Sequence, residues 1–209
     1  MSYHESRLTP DAKRDVVWQA LWRFYFRRLV PADACVLDLG SGYGNFINNV
    51  EAKRRIAMDM WPEFPGFLAP GIEAHVGPVT DLGFLDDGNV DFAFASNLFE
   101  HISQDAFARV LDGLRPKLSA RGTLNIVQPN YRYASKEYFD DYTHVSIYSH
   151  ISLADFLTAN GYEVIQVIPR FLPLTVKSRM PVSPRLIAAY LASPIKPLGK
   201  QMFLRARPR

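Results

Sequence analysis

The chain has 209 residues, 48% of them hydrophobic, with 24 basic residues against 21 acidic ones and a net charge of +3. That length suits one hydrophobic core, the apolar fraction excludes wholesale disorder, and one cysteine excludes a disulfide scaffold or a zinc site of paired cysteines. No apolar run reaches the roughly 18 residues of a membrane span, and MSYHESRLTPDAKRD is too polar for a secretory signal, so a cytoplasmic protein is expected.

Residues 11–29 read as a helix with Pro10 before it and Pro31 behind. Val17, Leu21 and Phe24 share a face flanked by Trp18, Trp22, Tyr25 and Leu29. Such a face lies on a membrane or, more commonly, packs on its own domain. From residue 35 onward, short apolar runs alternate with helical stretches. The runs are 35–40, 54–60, 72–77, 90–97, 122–130, 162–171 and 200–208, and the first four are continuous enough to suggest strands buried on both faces. Helices are expected near 44–52, 103–118 and 151–160, the last closed by Asn160-Gly161, and a short apolar one near 184–193. The pattern predicts an α/β fold, a doubly wound, mainly parallel sheet. A single domain over 1–209 is expected: an N-terminal helix in 1–31, a core over 32–170, and in 171–209 a proline-rich insertion or lid before the last strand.

Charge is unevenly spread. Every acid lies at or before Glu163, while 170–209 holds Arg170, Lys177, Arg179, Arg185, Lys196, Lys200, Arg205, Arg207 and Arg209. This basic region offers peripheral membrane or anion contact. It lacks the interleaved aromatics of a single-strand binder, so nucleic acid is not the expected partner.

In an open α/β sheet, ligands bind outside the carboxyl ends of the strands. The first strand runs into Gly40-Ser41-Gly42-Tyr43-Gly44, where glycines permit positive φ and a following helix would point its N-terminus at a ligand. A dinucleotide fingerprint requires glycine at 45, where Asn45 stands, and no Lys-Ser/Thr pair makes it a P-loop. Asp38, two residues before Gly40, would face a cationic group and repel a pyrophosphate. Asp59, at the end of the second strand, is placed to accept ribose hydroxyls. A ribose joined to a cationic amino acid describes S-adenosylmethionine.

VLDLGSGYGNF (36–46), AMDM (57–60), GPVTDLGFLDDGNVDFAFASNLFEHI (77–102) and LRPKLSARGTLNIVQPN (114–130) together resemble a class I S-adenosylmethionine-dependent methyltransferase, of the small-molecule or glycan type. The resemblance runs from about residue 35 to 170. It implies a Rossmann-like, seven-stranded sheet whose last strand inserts antiparallel, with S-adenosyl-L-homocysteine as product. It also implies that Asp38, Gly40, Ser41 and Gly42 neighbour the methionine moiety, that Asp59 holds the ribose and that Met60 packs on adenine. Ser96 and Asn97 would line the floor near the sulfonium. Many relatives carry an acid after the glycine that closes the third strand; Pro78 stands here, so Asp81 or the backbone around Val79 and Leu82 would take the adenine edge.

Methyl transfer requires collinear alignment of nucleophile, methyl and sulfur, and a hydroxyl acceptor benefits from a base. His101 and His144 are the candidate catalytic residues, with His150 a third. O-methylation of a small-molecule or glycan acceptor, such as a sugar on a phosphate-bearing carrier, is the expected reaction. N- or C-methylation is the alternative within the class, and a non-catalytic cofactor-binding subunit docked through its basic end is the alternative outside it.

Overall fold

The computed structural model describes residues 12–173 and 183–209. Helix α1 (Ala12–Phe24) is followed by a 3₁₀ turn at Phe26–Arg28. Strands β1 (Cys35–Leu39), β2 (Arg54–Asp59), β3 (Glu73–Val76) and β4 (Val90–Ser96) come next. Helix α2 (Gln104–Leu114), strand β5 (Leu118–Pro129), the short helix α3 (Tyr131–Ala134) and helix α4 (His150–Ala159) follow. Strand β6 (Tyr162–Pro173), helix α5 (Pro184–Ala192) and strand β7 (Gly199–Pro208) complete the order.

The seven strands form one sheet in the order β3-β2-β1-β4-β5-β7-β6. Only β7 is antiparallel, slotted between β5 and β6, as the resemblance implied. The chain crosses from β3 over to β4 on the far side of β1, so the strand order reverses beside the carboxyl ends of β1 and β4, where a ligand crevice is expected.

Each face of the sheet has its own core. On one, α2 presents Phe107, Val110, Leu111 and Leu114 at helical spacing, and α4 adds Leu153 and Leu157. Ser103 caps α2 by accepting from the Ala106 N–H at 3.2 Å, and Gly161 ends α4 with φ +80°. On the other face, α1 buries Leu21 and Trp22, and Trp18 meets Phe46 and Phe94 edge-on. The apolar face of α1 is therefore packed on the sheet, and α5 packs against it in turn.

Two expectations are corrected. The stretch 44–52 is not a helix: only a 3₁₀ turn at Ile47–Asn49 forms. Gly44 sits at φ +67°, and Asn48 engages the next loop, donating to the Phe67 carbonyl at 2.9 Å and accepting from the Ala69 N–H at 2.8 Å. Side chains that bond backbone in this way compete with helix formation, so the glycine turn has no helix dipole behind it. Strand β3 is an exposed edge rather than a doubly buried strand, because the proline-containing 61–70 connection makes only a 3₁₀ turn (Phe64–Phe67). Cys35 pairs in register with Arg54, and burial pushes its thiol up.

The basic C-terminal region is largely built into the fold. Arg207 pairs with Glu163 at 2.7 Å, Lys200 pairs with Glu137, and Lys196 donates to the carbonyls of Tyr190 and Leu191. Arg170 lies 4.1 Å over the Tyr133 ring. Lys177 and Arg179 lie outside the described residues, as do the other positions of 174–182 in the proposed lid. No helix among the described residues is long and apolar enough to cross a membrane.

Candidate active site

The glycine turn is fastened to β2. Gly40 and Ser41 both donate N–H to the Met58 carbonyl, at 2.9 and 3.0 Å. Asp59, only 6% exposed, accepts from the Gly42 N–H at 2.8 Å and from the Trp61 N–H at 2.9 Å. A carboxylate has about four acceptor sites, an acceptor capacity of the kind ribose hydroxyls use. Asp38 is buried beneath the same turn. Burial and the neighbouring Asp59 charge hold its carboxyl well above the usual range, opposed by a backbone hydrogen bond from Ile47.

The turn fits a ligand above it. Gly40, Gly42 and Gly44 all have positive φ, which L side chains adopt at a cost. A side chain at 40 or 44 would collide with Leu98 or Leu68, whereas one at 42 meets nothing within 4 Å. The Ser41 hydroxyl is buried beside that open space with no hydrogen-bond partner. An orphaned buried hydroxyl calls for a polar ligand atom.

Around the turn, Met60 is 75% exposed directly after Asp59. Tyr43, Trp61 and Phe67 form an aromatic cluster beside it, with ring centroids 4.7–5.1 Å apart. The Gly77 N–H donates to the Asp59 carbonyl at 2.9 Å, bringing Pro78 to the same rim. Asp81 is exposed and its carboxylate accepts from the Gly83 N–H; the Leu82 side chain is buried in the core. At the end of β4, Asn97 adopts φ +50°, a strained backbone for a non-glycine residue. Its amide donates to the Ser96 hydroxyl at 3.2 Å and its carbonyl accepts from Gln201 of β7 at 2.9 Å. The structure thus gathers Asp38, Gly40, Ser41, Gly42 and Asp59 around one turn, with Ser96 and Asn97 on the adjacent strand end.

A methyltransferase domain family matches residues 11–167. The chain belongs to that family. It is an S-adenosylmethionine-dependent methyltransferase of class I. No curated protein matches it. Among solved structures it is similar to a SAM-dependent methyltransferase from Archaeoglobus fulgidus, at 18% identity and TM-score 0.70, covering 98% of this chain and 97% of that one. It is also similar to an S-adenosylmethionine-dependent methyltransferase from Mesorhizobium loti, at 16% identity and TM-score 0.63, covering 90% and 97%. A third is geranyl diphosphate C-methyltransferase from Streptomyces coelicolor, solved with Mg²⁺, geranyl diphosphate and S-adenosyl-L-homocysteine, at 12% identity and TM-score 0.58, covering 86% and 72%.

In this methyltransferase the candidate bases cluster just past Asn97. His101 closes a 3₁₀ turn (Phe99–His101), and the His144 ring lies 4.7 Å from it. Thr143 Oγ1 donates to Asp141 at 2.6 Å and lies 2.9 Å from His101 Nδ1. A hydroxyl has one proton to give. Since that proton goes to Asp141, Nδ1 is the protonated nitrogen of His101 and Nε2 carries the lone pair. Burial, then the charge of His144, push the His101 imidazole down to about 4, so the ring is neutral at pH 7. The Asp141 carboxylate therefore serves His101 through Thr143. His150, the third candidate, stands apart, with Nδ1 3.0 Å from the Asn130 amide.

Two buried polar residues at this end were not singled out in the sequence. Glu100 is fully buried with neither carboxylate oxygen hydrogen-bonded, and burial pushes its carboxyl up to about 8. Gln128, near the end of β5, is fully buried with neither amide atom hydrogen-bonded. The sequence carries a signal for Gln128, an amide directly after Ile126-Val127 in a run read as a strand. Glu100 gave none, because an acid beside a histidine after a strand reads as surface.

Proposed function

We propose that this methyltransferase methylates a hydroxyl oxygen of a small-molecule or glycan acceptor. The observation that carries the reading is the Asp141–Thr143–His101 relay, which fixes the lone pair on Nε2 one turn beyond the strand end. Bound S-adenosylmethionine supplies an electrophilic methyl group and leaves as S-adenosylhomocysteine. Asp38 would meet its ammonium, the Ser41 hydroxyl and turn amides its amino-acid end, and Asp59 its ribose. Met60 and the Gly77–Leu82 rim would flank its adenine. His101 Nε2, with His144 beside it, would take the hydroxyl proton as the new O–C bond forms.

A pocket of about 520 Å³ beside the carboxyl-terminal half of β6 would suit an anionic carrier on the acceptor. Arg28, Arg170 and Lys196 line it together with Tyr25 and Tyr133. The test is incubation with methyl-labelled S-adenosylmethionine and a panel of nucleotide sugars, polyols and phenols, with the methylated atom located by NMR. A methyl ether supports the reading, and methylation at nitrogen or carbon contradicts it.

A further inference from the structure

One ligand atom from each of Glu100, His101 and His144 lies within 4.8 Å of the other two. Glu100 Oε1 and His101 Nε2 are 4.0 Å apart. Donors on a tetrahedral ion with bonds of about 2.1 Å stand roughly 3.4 Å apart, so a modest rotamer closure would bring three ligands onto one centre.

Three features set this cluster apart from a chance gathering. First, Glu100 is fully buried with both oxygens lacking a hydrogen bond, an arrangement that requires a compensating partner. Second, the two segments that carry the ligands are fastened together. The Glu100 carbonyl accepts from the N–H of Val145 and of Ser146, the Ser146 hydroxyl donates to the Ile102 carbonyl, and Tyr138 donates to the Ser146 carbonyl. Third, His101 has the outer shell of a metal-binding histidine: Nδ1–H is held through Thr143 by the Asp141 carboxylate, which points the Nε2 lone pair toward Glu100.

We infer that Glu100, His101 and His144 form a site for one divalent transition-metal cation of the zinc type. Two imidazoles and one carboxylate favour such an ion over Mg²⁺ or Ca²⁺, which take oxygen ligands. The His101 side chain remains 19% exposed, which leaves a side from which a fourth ligand can enter. This inference deepens the proposed O-methylation and rests on it only for that fourth ligand. An acceptor hydroxyl on the cation would ionise more easily, its proton leaving to solvent water; with the metal bound, Nε2 is a ligand, and its role as base belongs to the metal-free protein.

The experiment uses tag-free, chelator-treated full-length protein, with Co²⁺ and Zn²⁺ as probes. One equivalent of Co²⁺ should bind, develop visible ligand-field bands and be displaced by Zn²⁺. Glu100→Gln and His144→Asn should each weaken Co²⁺ binding at least a hundredfold, while both still bind S-adenosylhomocysteine, which shows that they fold. Thr143→Val should weaken it about 10–100-fold. Wild-type protein that binds S-adenosylhomocysteine yet takes up no more Co²⁺ than Glu100→Gln overturns the inference while leaving the methyltransferase reading intact. Co²⁺ bound by these residues in a protein that methylates only nitrogen or carbon would sustain the site and remove the O-methylation reading.

Discussion

The Thr143 hydroxyl sits 2.9 Å from Nδ1 of His101 and gives its own proton to Asp141. The tautomer of a histidine at the acceptor end is thereby set by a residue 42 positions away. Thr143→Val removes that restraint without changing side-chain size. It should lower kcat at least tenfold and leave affinity for S-adenosylhomocysteine unchanged, and ¹⁵N chemical shifts should show a mixture of His101 tautomers in place of one. A single unchanged tautomer in the variant would contradict the relay.

Cofactor affinity should depend on pH through Asp38. Burial and Asp59 raise its carboxyl in the ligand-free protein, so binding a cationic ammonium must favour ionisation and release a proton. Affinity for S-adenosylhomocysteine should therefore increase as pH rises through the ligand-free value and level off above it. Calorimetry in two buffers of different ionisation enthalpy should report that proton leaving. Asp38→Asn should bind about 10–100-fold more weakly, the worth of a charge-assisted hydrogen bond of roughly 1.5–3 kcal/mol, and with a flat pH profile. A proton release unaltered in Asp38→Asn would assign the effect elsewhere.

The glycine turn separates binding from stability. Alanine at 42 meets open space, so Gly42→Ala should cost only about 1–2 kcal/mol for the left-handed backbone but lose most cofactor affinity. Alanine at 44 would place Cβ 2.8 Å from Leu68 Cδ2 at an equally unfavourable φ, so Gly44→Ala should show the larger fall in Tm. Thermal unfolding with and without S-adenosylhomocysteine distinguishes the two; equal Tm losses would undo the distinction.

How these parts could be foreseen follows from the range of the interactions that make them. Buried parallel strands declare themselves as unbroken apolar runs, and β1, β2 and β4 sit within a few residues of where those runs lie. The glycine turn and Asp59 were legible because local spacing fixes them. The missing helix after the turn was not, since Asn48 bonds to a loop 19–21 residues further on. Gln201 reaching Asn97 is a contact across 104 residues of sequence, and the burial of Glu100 depends on the 138–148 segment closing over it. None of these pairings leaves a local pattern.

Asp91 ties the amino-terminal edge of the sheet together, accepting from the Cys35 N–H, the Ser119 hydroxyl and Arg121. Burial alone would raise its carboxyl, but the Arg121 guanidinium and the two other donors outweigh that and hold it below the usual range. A carboxyl lowered by folding stabilises the protein above its unfolded value, and that contribution fades as pH falls through the folded value. Asp91→Asn should therefore lower Tm at pH 7 and have a smaller effect at pH 3, below the ordinary aspartate value. Equal Tm losses at both pH values would contradict this assignment.

The central claim, that the turn between Asp38 and Asp59 holds S-adenosylmethionine, is tested most directly by calorimetric titration with S-adenosylhomocysteine, with NAD as the control. The account predicts one micromolar site for S-adenosylhomocysteine, lost in Gly42→Ala, and no heat with NAD. Binding of NAD, or S-adenosylhomocysteine binding undiminished in Gly42→Ala, would contradict it.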